Sequence, residues 1–245
     1  MDFNKVDELK TKLKSMRPLN ETEIQRLRGE FIIENTYHSN AIEGNTLTLR
    51  ETALILHEGV TIAEKPLKEH LETIGHRDAF KYILSLADTN ANLTERIIKH
   101  IHSFVLMDDA DNRGVYRGVP VNILGAAHTP PQPYLVPVQM ESLIKEYKKM
   151  KRSYHIIEAI AEFHLRFEGI HPFIDGNGRT GRLILNLELI KAGLLPVNIK
   201  FADRRKYYDC IDYYYSNGRS PEPFIQLITD YETDELKRYI NILDR

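Results

Sequence analysis

Residues 171–182 read His-Pro-Phe-Ile-Asp-Gly-Asn-Gly-Arg-Thr-Gly-Arg and bring a titratable base, a carboxylate, glycines and two arginines into one short stretch. Those residue types suit the binding and attack of a polyphosphate. Glycines let backbone N–H groups turn inward as an anion nest, and a helix N-terminus adds free donors and a favourable dipole. Arginine forks neutralise phosphate oxygens. A histidine takes up a proton near neutral pH, and a carboxylate can hold Mg²⁺, which binds through one or two carboxylates plus substrate phosphates. Taken singly, a His-Pro pair is a turn, Gly-Asn-Gly is a loop, and two arginines three apart are a solvated helix face. Their concentration here, in an order that makes chemical sense, sets the stretch apart as a motif that still needs its structural context.

The stretch resembles the signature of the Fic family, His-x-Phe-x-Asp/Glu-Gly-Asn-Gly-Arg-x-x-Arg, and matches every specified position. The resemblance runs from about Ile33 to about Tyr231. It implies a mainly α fold, a Fic-type helical domain with a small β-hairpin flap. It also implies transfer of AMP from ATP to a Ser, Thr or Tyr hydroxyl, on a target protein that the sequence does not name or on the enzyme itself. By the same resemblance His171 is the general base and Asp175 coordinates Mg²⁺, with Mn²⁺ as the alternative ion. Gly176, Asn177, Gly178 and Gly181 belong to the phosphate cradle, with Arg179 on the β-phosphate and Arg182 on the γ-phosphate. Phe173 is expected to anchor the loop from the core, and Pro172 to stiffen it. The family's kinase-like branch carries a bulkier Asn-Lys arrangement in place of the second glycine. This chain keeps Gly-Asn-Gly and so resembles the AMP-transferring branch.

Three further stretches extend the resemblance. Ser39-Asn-Ala-Ile-Glu43-Gly44 is similar to the family's inhibitory motif, whose glutamate pairs with the second signature arginine, here Arg182. Val121, Ile123 and Thr129 lie in a segment resembling the flap that docks the target's extended chain, a mode of recognition by strand addition. Tyr207 and Tyr208 fall in a stretch similar to the one lining the base and ribose, where aromatic faces suit a purine. The family often has an Asn near the ribose; Tyr215 stands at that position here. The tyrosine run can equally be a packed helix face.

These residues need helices to position them. Phe3, Val6, Leu9 and Leu13 have helical spacing, and Asn20 with Glu23 forms a capping-box pattern opening a helix over about 21–38. Thr48 opens another that Gly59 stops, Pro66 one reaching about Ala87, and Thr94 one reaching Leu106. Residues 113–138 are rich in Gly and Pro, and the alternation of Val119, Val121 and Ile123 reads as a short strand with Tyr134-Leu-Val as its return partner. Helices resume at about 138–150 and from Ser153 to Glu168, with Gly169 expected at C′. Others follow to about Ala192, over about 203–215 and over about 221–243. The expected organisation is an N-terminal helical extension (1–30) and a Fic domain (31–245), with the inhibitory helix at about 36–44, the flap at about 117–135 and the signature loop at 171–182.

The 245 residues are enough for one sizeable core. A net charge of −2 provides no basic field for nucleic acid. No apolar run is long enough to span a membrane, and the N-terminus lacks a signal-peptide core. The single Cys210 cannot form an internal disulfide and reads as a small core residue, so a reducing, cytoplasmic location is the default expectation. No histidine spacing suggests a further metal site. The resemblance leaves several readings beside AMP transfer: the reverse hydrolysis that removes AMP, transfer of another nucleotide such as UMP, or an ATP-binding regulatory sensor with little turnover. A homodimer is a further expectation, because relatives with this inhibitory motif often pair.

Overall fold

A computed structural model describes residues 3–89, 91–123 and 125–244. Ten α-helices lie among them: α1 (Asn4–Ser15), α2 (Glu21–Ile42), α3 (Leu49–Glu58), α4 (Leu67–Ala87), α5 (Glu95–Val105), α6 (Val136–Ser153), α7 (Ile156–Ile170), α8 (Asn177–Lys191), α9 (Arg204–Ser216) and α10 (Glu222–Leu243). The helix starts follow from local chemistry. Asn20 with Glu23, and Thr48 with Glu51, form reciprocal capping boxes. Thr94 accepts from the N–H of Ile97, and Gly59 closes α3 in the left-handed conformation.

The core is built around α8. Every residue of α8 from Arg179 to Leu189 is buried, which is the signature of a helix enclosed on all sides. It packs against α4, α7 and α5, while α1 lies along α10. Burying a charge requires compensation, and Glu188 has it: Tyr147 donates at 2.8 Å and Lys151 at 2.7 Å. Cys210 is buried on α9, as its sequence context suggested.

Two expectations are corrected. No strand occurs among the described residues, so the β-hairpin flap is absent from them. Tyr134-Leu-Val does not return as a strand. Pro133–Leu135 form one 3₁₀ turn that leads into α6. The physical reason lies in the prolines at 120, 130, 131 and 133, which carry no N–H for a ladder, and Pro133 is preset to start a helical turn. Leu124 lies outside the described residues. The second correction concerns Gly169, which does not terminate α7. The helix continues through Ile170, and His171 takes the left-handed C-cap position with φ 48° and ψ 61°.

Candidate functional site

The signature loop connects the end of α7 to the start of α8 and is anchored from below. The Phe173 ring is fully buried and stacks on His102 of α5 at 3.6 Å. His102 accepts from the Gly114 N–H at 2.8 Å through Nδ1, so its proton is on Nε2, which donates to the Asp175 carbonyl at 2.9 Å. Asn177 spends its side chain on the loop itself, exchanging two 2.9 Å bonds with the main chain of Phe173. Any part it takes in phosphate binding therefore falls to its backbone N–H. Gly176, at φ 74°, turns the chain into α8, and no side chain caps that helix. The first N–H groups of α8 thus stay open toward an anion.

His171 sits at this junction. Its Nδ1 lies 3.3 Å from the Glu168 carbonyl, an acceptor only, so Nδ1 carries the proton and Nε2 presents a lone pair. Burial lowers its pKa to about 4, with the Glu168 hydrogen bond and the Glu43 charge opposing. The ring is therefore a neutral base at neutral pH. The main chain around it is held by Arg117, a residue the sequence reading did not single out. Arg117 donates to the carbonyls of His171 (2.8 Å), Val119 (3.0 Å) and Pro131 (2.6 Å), and its own N–H binds the Pro172 carbonyl at 2.9 Å. One guanidinium thus ties both ends of the 117–131 segment to the signature loop.

The two arginines lie in different surroundings. Arg179 is buried beside Glu72 at 3.0 Å and Asp175 at 3.3 Å. Glu72, also missed in the sequence, accepts from Asn45 at 2.9 Å and so joins the segment after α2 to the signature. Arg182 donates to Glu43 at 2.8 Å, to the Ser39 hydroxyl at 3.1 Å and to the Ser39 carbonyl at 2.9 Å. Burial works to lower the Arg182 pKa, but Glu43 and its other partners overcome it and the net shift is upward. Glu43 is the C-cap of α2, followed by Gly44 at φ 100°. Its carboxylate lies directly over Gly178 at the open start of α8, so that a Cβ on Gly178 would overlap it.

A cavity of about 510 Å³ collects these groups. Glu43, His171, Gly178, Tyr207, Tyr208 and Ile123 line it, together with Glu168 and His128. Tyr207 is buried, hydrogen-bonded to His164 at 2.8 Å, and lies 5.5 Å from the Arg182 guanidinium; Tyr208 is half-buried. Burial pushes the Glu168 carboxyl up to about 8, with Arg182 opposing. Asp175, Gly176, Asn177, Arg179, Gly181, Arg182, Ser39, Gly44, Val121 and Thr129 are not among the lining residues. Arg182 reaches the cavity through its contacts with Glu43 and Tyr207. Gly181 is instead the point of closest approach to Glu168 and His164. Val121 is half-buried and Thr129 exposed.

Asp175 is the one signature carboxylate, about half-exposed and 3.7 Å from Lys68. Burial works to raise its pKa, but Arg179, the Gly176 N–H and Lys68 outweigh it and hold it below the usual range. An ionised, accessible single carboxylate fits Mg²⁺, which completes its shell with waters and phosphates. No larger group of metal-ligating side chains lies among the described residues. No described helix is long and apolar enough to cross a membrane.

Comparison with known proteins gives concordant matches. Residues 92–189 match the Fic/DOC family. The chain is 36% identical over 229 residues to the protein adenylyltransferase Fic of Nematostella vectensis, covering 92% of this chain and 52% of that protein. It thus spans about half the length of the curated relatives it matches. Among solved structures, a Fic domain containing signaling protein of Bacteroides thetaiotaomicron superposes with a TM-score of 0.90 at 29% identity, covering 98% of this chain and 97% of that one. A Fic-1 fragment of C. elegans superposes with a TM-score of 0.87 at 28% identity, covering 99% and 72%.

Proposed function

This chain carries a domain of the Fic/DOC family, and from that premise we propose that it is a protein adenylyltransferase, moving AMP from ATP to a hydroxyl side chain of a protein. The observation that carries this reading is the convergence of the His171 lone pair and the uncapped start of α8 on one cavity. Residues 31–245 form the catalytic domain in this reading, and residues 1–30 an extension.

The open N–H groups of α8, with Arg182 once freed, receive the polyphosphate, since phosphoryl-type transfer needs chiefly positioning and charge neutralisation. Asp175 would hold Mg²⁺, which supplies charge neutralisation on the phosphates. Nε2 of His171 takes the proton of the incoming Ser, Thr or Tyr hydroxyl as its oxygen bonds to the α-phosphorus. The α–β phosphoanhydride bond breaks, and diphosphate departs with the electron pair. Tyr208 borders the nucleoside end, Tyr207 stands beside Arg182 on the same wall, and the 117–135 segment with Val121, Ile123 and Thr129 borders the target.

Glu43 acts as a brake in this scheme. Its carboxylate lies over Gly178 and holds the one guanidinium that a terminal phosphate needs. The same carboxylate repels that phosphate, and the pair is desolvated on its buried Arg182 side.

The test is transfer of label from ATP carrying it on the α-phosphate, with Mg²⁺, to protein by wild type, Glu43→Gly and Glu43→Gly/His171→Ala. Label should rise in the single variant and vanish in the double. No label in any of the three, with ATP binding measured directly, overturns transfer in favour of reverse hydrolysis or an ATP-binding sensor.

A further inference from the structure

The cavity contains a second imidazole. His128 lines it together with His171, and its ring stacks on Tyr215 at 3.9 Å with 23° between the planes. Tyr215 is itself fixed. Its hydroxyl donates to the Leu165 carbonyl at 3.0 Å, and it lies so close over Gly169 that a Cβ there would overlap it. The neighbouring Ala127 N–H donates to Asp212 of α9 at 2.9 Å. Helices α7 and α9 therefore seat His128 at the cavity wall.

Both ring nitrogens of His128 are buried, and among the described residues neither has a hydrogen-bond partner. A buried polar atom left unpaired destabilises the fold and so marks a place for a ligand partner. Burial lowers the pKa of the ring, with Asp212 opposing, so at neutral pH it is neutral. A neutral imidazole offers one donor and one acceptor. A phosphate, which only accepts, leaves the acceptor unmatched. A hydroxyl, which both donates and accepts, can match either nitrogen.

Position narrows the ligand further. Tyr207, Ile211 and Tyr215 lie four residues apart on one face of α9, a run of about 12 Å at helical rise. Tyr207 faces Arg182, Ile211 lines the cavity, and Tyr215 carries His128. One end of this stripe thus lies at the anion site and the other at the imidazole. In a nucleotide whose α-phosphate stands at His171, the sugar is the next unit along the chain. Resting on the nucleotide reading above, we infer that His128 binds the ribose hydroxyls of the bound nucleotide and selects ribonucleotides over deoxyribonucleotides.

The experiment is calorimetric titration of ATP, 2′-deoxy-ATP and 3′-deoxy-ATP into the full chain, wild type and His128→Phe. Phenylalanine keeps a ring on Tyr215 and removes both nitrogens; His128→Leu is the second variant should the first unfold. At least one deoxynucleotide should bind wild type about 3- to 10-fold more weakly than ATP, the range of one net hydrogen bond. In the variants ATP should fall to that weaker level and the ratio should approach one. A ratio that survives in the variants, or is absent from wild type, overturns the ribose assignment while leaving nucleotide binding intact. If wild type fails to bind ATP, the titrations are run in Glu43→Gly, where the brake is lifted; failure of that chain too overturns the nucleotide reading and this inference with it.

Discussion

The carboxylate of Glu43 and the guanidinium of Arg182 meet at 2.8 Å across 139 residues of chain, and Ser39 supplies two more acceptors to the same guanidinium. Glu43 lies at the C-cap of α2 and Arg182 in the second turn of α8. Opening the pair frees the cation and removes a charge from above the uncapped start of α8. Glu43→Gly should therefore raise the initial rate of AMP transfer about tenfold or more, the equivalent of roughly 1.4 kcal/mol. Ser39→Ala removes only one neutral acceptor and should raise it less. Both rates are read from label incorporation, and equal rates in all three proteins would mean that the pair is purely structural.

If His171 is the base, as proposed, its protonation state fixes the pH dependence of that transfer. A base works only while deprotonated, and burial keeps this ring deprotonated down to about pH 4. The rate in Glu43→Gly should accordingly be flat across neutrality and decline only well below pH 6.5, the ordinary histidine value. Glu43 raises the His171 pKa, so its removal moves the limb further to acid. A limb centred at ordinary histidine values in a pH–rate profile would contradict the buried tautomer.

What could be read from the sequence was local. Asn20, Thr48 and Thr94 cap helices through bonds to their own first turns, so three or four residues contain the whole signal. The signature was legible for the same reason, being contiguous. Arg117, Glu72 and His102 were not, because each is a single residue whose partners lie far along the chain. The alternation of Val119, Val121 and Ile123 suggested a strand because period alone does not count donors, and the prolines nearby remove them. Gly169 was misread because one residue type serves two needs. Here the missing side chain makes room for Tyr215 rather than for a left-handed cap.

Buried titratable groups also set the pH of greatest stability. Burial lowers His76 and His164 to about 3, and His102 and His171 to about 4. For a histidine depressed in the folded state, stability is complete above the unfolded value of 6.5 and is lost as pH falls below it, because the unfolded chain binds protons that the folded one refuses. Glu168 and Glu232 run the other way. Burial raises both to about 8, so their contribution is complete below 4.5 and is lost as pH climbs to 8. Four groups outweigh two between 4.5 and 6.5, and only the glutamates act above 6.5. Urea midpoints should be highest near pH 6.5, fall about equally on both sides down to pH 4.5 and up to pH 8, and fall more steeply below pH 4.5, where the glutamates no longer oppose the histidines. A midpoint rising steadily to pH 8 would show that the two carboxyls are ionised in the folded protein.

Glu43 lines the same cavity as the His171 lone pair, and on the proposed reading that proximity gives it a second use beside that of a brake. Removal of AMP from a modified protein needs a water delivered to the phosphorus and a proton returned to the departing hydroxyl oxygen. His171, deprotonated above about pH 4, must first gain the proton that it returns, so removal draws on its minor protonated form by reversal of the forward role. A carboxylate at the cavity wall can orient the water, a task for which Glu43 is placed and the raised, neutral Glu168 is not. Forward and reverse reactions then make opposite demands on one residue: its loss should speed addition and slow removal. Incubating target protein already carrying labelled AMP with wild type and with Glu43→Ala separates the two. Release should be at least about tenfold slower with the variant, the usual scale for a positioned acid–base or water-orienting group. Equal release by both proteins would leave Glu43 as a brake alone.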